Sequence, residues 1–466
     1  MDKGNSESMK YNTEKNNIIE NMSTNEASTM SDIIRGETDE LTSKLHIDDS
    51  PDQLSDGGKS IAFYIGGLCI GGAERVICNL AEYFYSEGYR VTMVTKVRDE
   101  KEYELNPGIR RIIADITPEE ETGSRIHNLC ARISKLKRIW QEVKPDVIVS
   151  FIRKNNLMAI ASAAPLGIPV VVSVRSAPER ELKGFGFKTI SFLFFRKAAG
   201  VVLQTREAYD FFPGYIRAKA IVLPNSINPD FLKESEKLAL ERKSDINGAA
   251  IDVEKPGKDT SEHTRNNREE PFVLDSRLIS SRREKRIITV GRIDDNKNQR
   301  LLVEAYAKIA GHYPDWSLEL IGDGSGRKAI EKYVSTLPCK DRISFTGAVD
   351  DVAKRMSKAS IFVLPSRIEG MPNALIEAMV MGMACISTDC PCGGPRDLIA
   401  ADESNGILVP VDNVDSMAMA LKRLITNDTL RESMGDNARK IITTLHPDTV
   451  NRQWKSYIEN VMISHT

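Results

Sequence analysis

Short apolar, β-branched runs alternate with stretches of helical periodicity through most of this sequence, and the alternation occurs twice, on either side of a charged stretch. In the first block the runs are residues 61–65, 90–95, 112–113, 146–151, 169–174, 201–203 and 220–223; in the second they are 287–290, 317–321, 342–345, 361–364, 384–387 and 406–409. Strands that are apolar on both faces need helices to cover them, and parallel neighbours need crossover connections, so the pattern predicts α/β folding with parallel, doubly wound sheets. Such sheets collect ligands at the C-terminal edges of their strands. Two of them imply Rossmann-like domains facing one another across a cleft.

A chain of 466 residues is too long for one ordinary core. The composition shifts divide it into a disordered tail at 1–58, a first domain at 59–230, a charged linker or insertion at 231–286, a second domain at 287–445 and a terminal helix at 446–466, which is expected to cross back to the first domain. The tail is rich in Asn, Ser, Glu, Asp and Lys, and close to half of residues 241–286 are charged. Neither stretch has the apolar surface to build a core. In the terminal segment Trp454, Tyr457 and Val461 share a helix face.

A net charge of −2 argues against a general nucleic-acid binder. The seven cysteines are an odd, scattered set, and Cys390-Pro391-Cys392 has no further cysteine or histidine cluster beside it, so neither a disulfide framework nor a metal site is expected. No apolar run is long enough for a membrane span, and the start lacks the apolar core of a secretory signal. A cytoplasmic protein is expected, with contact to a membrane surface left open.

The segment Glu369-Gly-Met-Pro-Asn-Ala-Leu-Ile-Glu377 follows the run at 361–364 and reads as a helix start. Ala374, Leu375, Ala378 and Met379 recur at helical spacing, Pro372 sits where an initiating proline is tolerated, and Gly382 closes the pattern. A helix that begins at a strand's C-terminal end attracts a phosphate. Glu369 lies just before that start and Glu377 about two turns on, roughly 12 Å along the axis. Carboxylates so placed suit the two ends of a polyol: Glu369 a sugar beside the phosphates, Glu377 a ribose. The alternative is a surface helix with two solvated glutamates.

Three strand-to-helix turns carry further candidates. Gly66-Gly-Leu-Cys-Ile-Gly71-Gly72-Ala-Glu-Arg75 lets backbone approach a diphosphate, although it is neither a dinucleotide fingerprint nor a P-loop and tight-turn packing explains it equally well. Gly291-Arg292-Ile-Asp-Asp-Asn-Lys297 brings two cations to the start of the second block, suited to a diphosphate leaving group. Gly322-Asp-Gly324-Ser-Gly326 suits a nucleoside or a simple turn.

Taken together and in this order, Gly71-Gly-Ala-Glu-Arg-Val76, Gly291-Arg292 with Lys297-Asn-Gln299, Gly322-Asp-Gly324 and the Glu369/Glu377 pair resemble the family 4 retaining glycosyltransferases of the GT-B fold, over roughly residues 61–399. The chain is most similar to the bacterial branch that builds surface polysaccharides or lipid-linked oligosaccharides from UDP-sugars. The resemblance implies that Arg292 and Lys297 bind the donor diphosphate, Glu369 the transferred sugar and Glu377 the ribose hydroxyls, with Arg292, Lys297 and Glu369 carrying catalysis. Gly71, Gly72, Gly291, Gly322, Gly370, Asn373, Ala374 and Leu375 complete the donor site. It also implies a metal-independent reaction with no cofactor beyond the nucleotide-sugar donor. The histidine that many members carry after the fourth strand is absent here, where Ser150-Phe-Ile-Arg-Lys-Asn-Asn156 stands. The segment Asp389-Cys-Pro-Cys-Gly-Gly-Pro-Arg-Asp397 also departs from the usual family pattern.

Between Arg180 and Lys197 five cations, Arg180, Lys183, Lys188, Arg196 and Lys197, accompany five phenylalanines. A basic, aromatic amphipathic helix can lie on an anionic membrane and gather a lipid diphosphate. The alternative is a core helix with charged ends. Arg175, at the end of the preceding strand, is a candidate for an acceptor phosphate. The expected partners are therefore a nucleotide sugar, a glycan or lipid-linked acceptor and the inner face of the cell membrane. Two rival functions fit a similar fold: a UDP-sugar 2-epimerase-like enzyme, and a non-catalytic sugar-nucleotide-binding scaffold.

Overall fold

The structure, a computed structural model, describes residues 58–69, 71–116, 124–249 and 283–465. Apart from Gly58 the expected tail lies outside the described residues, as do Ile70 of the first glycine-rich turn and residues 250–282 of the charged stretch. The chain forms two compact units: one runs to Asn225 and includes the chain from Val450 onward, and the other is Ser226–Thr449.

The first unit contains β1 (Ser60–Ile65), α1 (Gly72–Ser86), β2 (Arg90–Thr95), β3 (Arg110–Ile113), α2 (Arg125–Val143), β4 (Val147–Phe151), α3 (Arg153–Ala163), β5 (Val170–Ser173), α4 (Phe185–Lys197), β6 (Gly200–Leu203) and β7 (Ala220–Val222). The strands pair in parallel in the order β3-β2-β1-β4-β5-β6-β7. Helix α1 forms because Val76, Ile77, Leu80, Ala81 and Phe84 fall on one face, and all of them are buried in the unit's core. The order reverses between β1 and β4, so the loops leaving these strands flank the crevice where a doubly wound sheet takes ligands.

The second unit contains β8 (Glu284–Val290), α5 (Gln299–Ile309), β9 (Ser317–Ile321), β10 (Ile343–Gly347), β11 (Ala359–Leu364), α6 (Asn373–Val380), β12 (Ala384–Thr388) and β13 (Ile407–Val409). Its order is β10-β9-β8-β11-β12-β13, again parallel, with the reversal between β8 and β11. One apolar cluster covers each face. Strand β8 begins three residues before the apolar run, because Ala359 pairs with Glu284.

One expected boundary moves. A helix at Pro229–Ala249 occupies the start of the stretch expected to be linker, and Phe231 and Leu232 are buried against Met379 and its neighbours. Ser235 Oγ donates to the Val380 carbonyl at 3.1 Å. Charge density hid a narrow apolar stripe, Phe231, Leu232 and Leu238, which anchors this helix to the second unit. At the other end, α7 (Pro447–Ile463) buries Val450, Trp454, Ile458 and Val461 in the first unit's core, with Trp454 5.8 Å from the Phe151 ring. Tyr457 Oη accepts from the Val201 amide at 2.9 Å and donates to the Lys219 carbonyl at 2.6 Å. A Cβ on Gly200 would stand 2.4 Å from that hydroxyl, which explains the glycine.

Candidate active site

In the second unit the loops after β8 and β11 are neighbours because their strands are. The β8 loop rests on the β9 loop through glycines: a Cβ at Gly322 (φ 130°) would lie 2.0 Å from the Gly291 carbonyl oxygen, and one at Gly324 2.3 Å from that of Ile293. Asp294 organises the loop by accepting from the Lys297 amide at 2.8 Å and from Arg292 Nε at 2.6 Å. Burial alone would raise its carboxyl, but these bonds and the two cations hold it below the usual carboxylate range. Asn296 then ties the β8 loop to the β11 loop, donating to the Ile368 carbonyl at 3.0 Å and accepting from the Arg367 amide at 2.8 Å.

That tie brings Lys297 Nζ to 2.6 Å from Glu369 Oε1, a part-buried ion pair formed across 72 residues of sequence. The structure thus joins Lys297 to Glu369, while Arg292 takes Asp294 as its partner and keeps a 70% exposed side chain. Glu369 is in the loop ahead of α6, whose first residue is Asn373. The carbonyl of Gly370 packs against Gly394, where a Cβ would stand only 1.6 Å from that oxygen. Glu377 is 6% exposed, which rules out a solvated glutamate. Leu375 is a correction: its side chain is fully buried and its amide donates to the Pro372 carbonyl at 3.1 Å, so that amide is spent inside the helix start. Asn373 and Ala374, both half-buried, form the beginning of the first turn.

In the first unit the glycine-rich turn differs from expectation. Gly71 caps α1, but Glu74 folds back over it, so that a Cβ on Gly71 would meet Glu74 Oε2 at 2.3 Å. Burial raises the Glu74 carboxyl, and bonds from the amides of Glu74 and Ala73 oppose that rise. A side-chain carboxylate therefore occupies the helix start where Gly71 and Gly72 were expected to cradle phosphate. Nothing in the local pattern signals this, because Glu at the third helical position reads as an ordinary dipole partner.

The models for the glycosyl transferases group 1 and for glycosyltransferase family 4 match residues 275–441 and 70–231, one in each unit. The chain is a glycosyltransferase of the GT-B fold. Among relatives, a Campylobacter jejuni enzyme that adds α-1,4-N-acetylgalactosamine to an undecaprenyl-diphosphate-linked trisaccharide is 26% identical, over 86% of this chain and 98% of that one. An Escherichia coli UDP-galactose:N-acetylglucosaminyl-diphosphoundecaprenol α-1,3-galactosyltransferase is 23% identical, over 80% and 89%. The solved structure of Anabaena HepE in complex with UDP superposes with a TM-score of 0.65 at 15% identity, covering 86% of this chain and all of that one. At that identity the likeness concerns the fold.

This glycosyltransferase does not present its basic, phenylalanine-rich stretch as one amphipathic helix. A short turn at Pro178–Glu181 ends before Gly184 (φ 99°), and α4 follows. Phe194 and Phe195 are buried, Phe192 packs edge-on against Phe211 at 6.1 Å, and Arg153 lies 4.3 Å from the Phe187 ring. Most of the aromatic surface is thus spent on the core, as in the core-helix alternative. Lys188 lies over the Phe211 ring at 4.4 Å, whereas Arg180, Lys183, Arg196 and Lys197 are exposed beside an exposed Leu193. Arg175 is set apart from them: it is part-buried at the end of β5, 4.8 Å from the Phe151 ring. Among the described residues no helix is long and apolar enough to cross a membrane, and no group of three or more acidic, His or Cys side chains is placed to hold a metal.

Proposed function

We propose that this glycosyltransferase moves a hexose or N-acetylhexosamine from a UDP-sugar to a hydroxyl of a polyprenyl-diphosphate-linked glycan, with retention at the anomeric carbon, in the manner of family 4 enzymes. The observation that carries the reading is the 2.6 Å contact between Lys297 and Glu369 at the β8/β11 reversal. One cation and one carboxylate within hydrogen-bond reach match a diphosphate and the sugar attached to it. The donor diphosphate would take Lys297, releasing Glu369 to accept from sugar hydroxyls, while Arg292 turns from Asp294 toward the same phosphates. Glu377, buried on α6, is suited to the ribose hydroxyls.

In the transfer itself the bond between the anomeric carbon and the β-phosphate oxygen breaks with its electron pair leaving on UDP. The acceptor oxygen bonds to the same face of that carbon, and its proton passes to the departing phosphate oxygen. Lys297 and Arg292 stabilise the negative charge that grows on the diphosphate, an interaction stronger in the transition state than before it. These cations supply what a metal would, so transfer should keep its rate within twofold in EDTA. Arg175 is proposed to meet the acceptor's diphosphate. The exposed Arg180, Lys183, Arg196, Lys197 and Leu193 support peripheral attachment to the inner face of an anionic membrane. The relatives' undecaprenyl-linked acceptors support the same location.

The test is mass spectrometry and NMR of products after incubation with a panel of UDP-sugars and polyprenyl-diphosphate-linked saccharides. A glycan one sugar longer, with an α linkage from an α-linked donor, is the expected product. An epimerised UDP-sugar formed without acceptor, or UDP binding with no transfer to any acceptor, would overturn the reading.

A further inference from the structure

The C-terminal edge of the first sheet gathers buried polar atoms that the fold leaves unused. Ser150 Oγ at the end of β4, Asn156 Oδ1 on α3, Arg175 Nε after β5, Glu181 Oε2 in the following turn and Gln204 Oε1 after β6 are all buried without a hydrogen-bond partner. Buried polar atoms are nearly always satisfied, so five orphans at one sheet edge point to a ligand.

The chain spends other interactions on holding this edge in place. Glu181 Oε1 accepts three bonds, from the Arg175 amide at 3.2 Å, the Ser176 amide at 2.9 Å and Ser176 Oγ at 2.9 Å, and so closes the turn 175–181. Arg153 donates to the Glu181 carbonyl from the far side. Arg175 Nη2 donates to Asn225 Oδ1, which also accepts from Gln204 Nε2 at 2.7 Å. The guanidinium is stacked on Phe151 and takes no carboxylate within 4 Å, in contrast to the ion pairs of the second unit. Ile152, between β4 and α3, is forced to φ 74°, a strained value for a β-branched residue, and such strain concentrates at functional sites.

We propose that this edge is a built anion pocket in which Arg175 takes the acceptor's diphosphate and Glu181 is a positioning residue that fixes the turn presenting it. Two guanidiniums around one carboxylate leave one positive charge for an anion to match, and the Arg175 Nε–H has no partner, which leaves one donor for a phosphate oxygen. Burial lowers the Arg175 proton affinity, and the nearby Glu181 carboxylate, which makes no direct ion pair with the guanidinium, opposes that shift only in part. The assignment to the acceptor rests on the transfer reading above, whereas the anion pocket does not.

Two measurements separate these. The first is titration of inorganic pyrophosphate into UDP-saturated protein, followed by calorimetry, which needs no transfer. The wild type should bind it, Arg175→Gln should weaken binding roughly 10- to 100-fold, Glu181→Ala should weaken it roughly 10-fold, and Glu181→Gln, which still accepts the three bonds, should restore it. Equal binding by all four proteins overturns the pocket, and loss in Glu181→Gln as well as Glu181→Ala overturns the positioning role. The second compares transfer to a short polyprenyl-diphosphate-linked saccharide and to the octyl glycoside of the same sugar. Arg175→Gln should raise KM for the first acceptor only, leaving KM for the UDP-sugar unchanged. An equal loss with both acceptors would reduce Arg175 to a structural role, and pyrophosphate binding without discrimination between acceptors would leave the pocket but remove the acceptor from it.

Discussion

The two units meet cations differently. At the β8/β11 reversal Lys297 and Arg292 each lean on a carboxylate, Glu369 and Asp294, while in the first unit the Arg175 guanidinium hydrogen-bonds Asn225 and Ser173 and interacts with Glu181 only at longer range. Paired cations cost little to hold near the surface, but a ligand must displace their partners. A part-buried cation without a direct ion pair costs more to hold. Under the transfer reading proposed above, the donor would exchange one set of contacts for another, whereas the acceptor would meet a cation with no ion pair to displace.

The largest effect should come from Lys297→Ala, which leaves Glu369 unpaired and removes charge stabilisation from the leaving group. Its kcat should fall roughly 10²-fold or more with saturating substrates, whereas near-wild-type turnover would break the proposed division of labour. Gly394→Ala forces a Cβ onto the Gly370 carbonyl and should lower stability by about 2 kcal/mol, read as a lower denaturant midpoint. A neutral result would show that the Glu369 loop has freedom the structure denies it. Glu377→Gln should raise KM for the UDP-sugar roughly 10-fold through a weakened hydrogen-bonded pair, with KM for the acceptor unchanged. A change in the acceptor KM instead would place Glu377 on the wrong side of the comparison. The smallest effect is expected from Gly71→Ala, where the Cβ meets only the movable end of Glu74. Stability should change by less than about 1 kcal/mol by thermal melt, and a large rise in KM for the UDP-sugar would show that backbone approach at Gly71 matters more than the seat of Glu74.

Strand positions were legible because each is a local run of apolar residues: β2, β9 and most of β4, β5 and β12 coincide with their runs to within a residue or so. The two ends of α6 were legible from Pro372 and Gly382. The helix at Pro229–Ala249 was not, since its apolar stripe is diluted by charge. Nor was the fate of the phenylalanines around α4, because periodicity marks an apolar face without saying whether protein or membrane covers it. Glu74 lay inside a quoted motif without a role of its own, and Glu181 was assigned none. Their roles come from side chains folding back onto neighbouring amides, which spacing does not record.

By itself the sequence determined two α/β units, the turns that end their strands, and the residue types able to handle a sugar diphosphate. All of these depend on neighbours within a turn or two of the chain. Tertiary structure alone decided that Lys297 meets Glu369, that Trp454 packs beside Phe151 and that the Arg175 guanidinium bonds Asn225. Those outcomes follow from strand order and side-chain packing, which join residues far apart in the chain through contacts that local pattern cannot express.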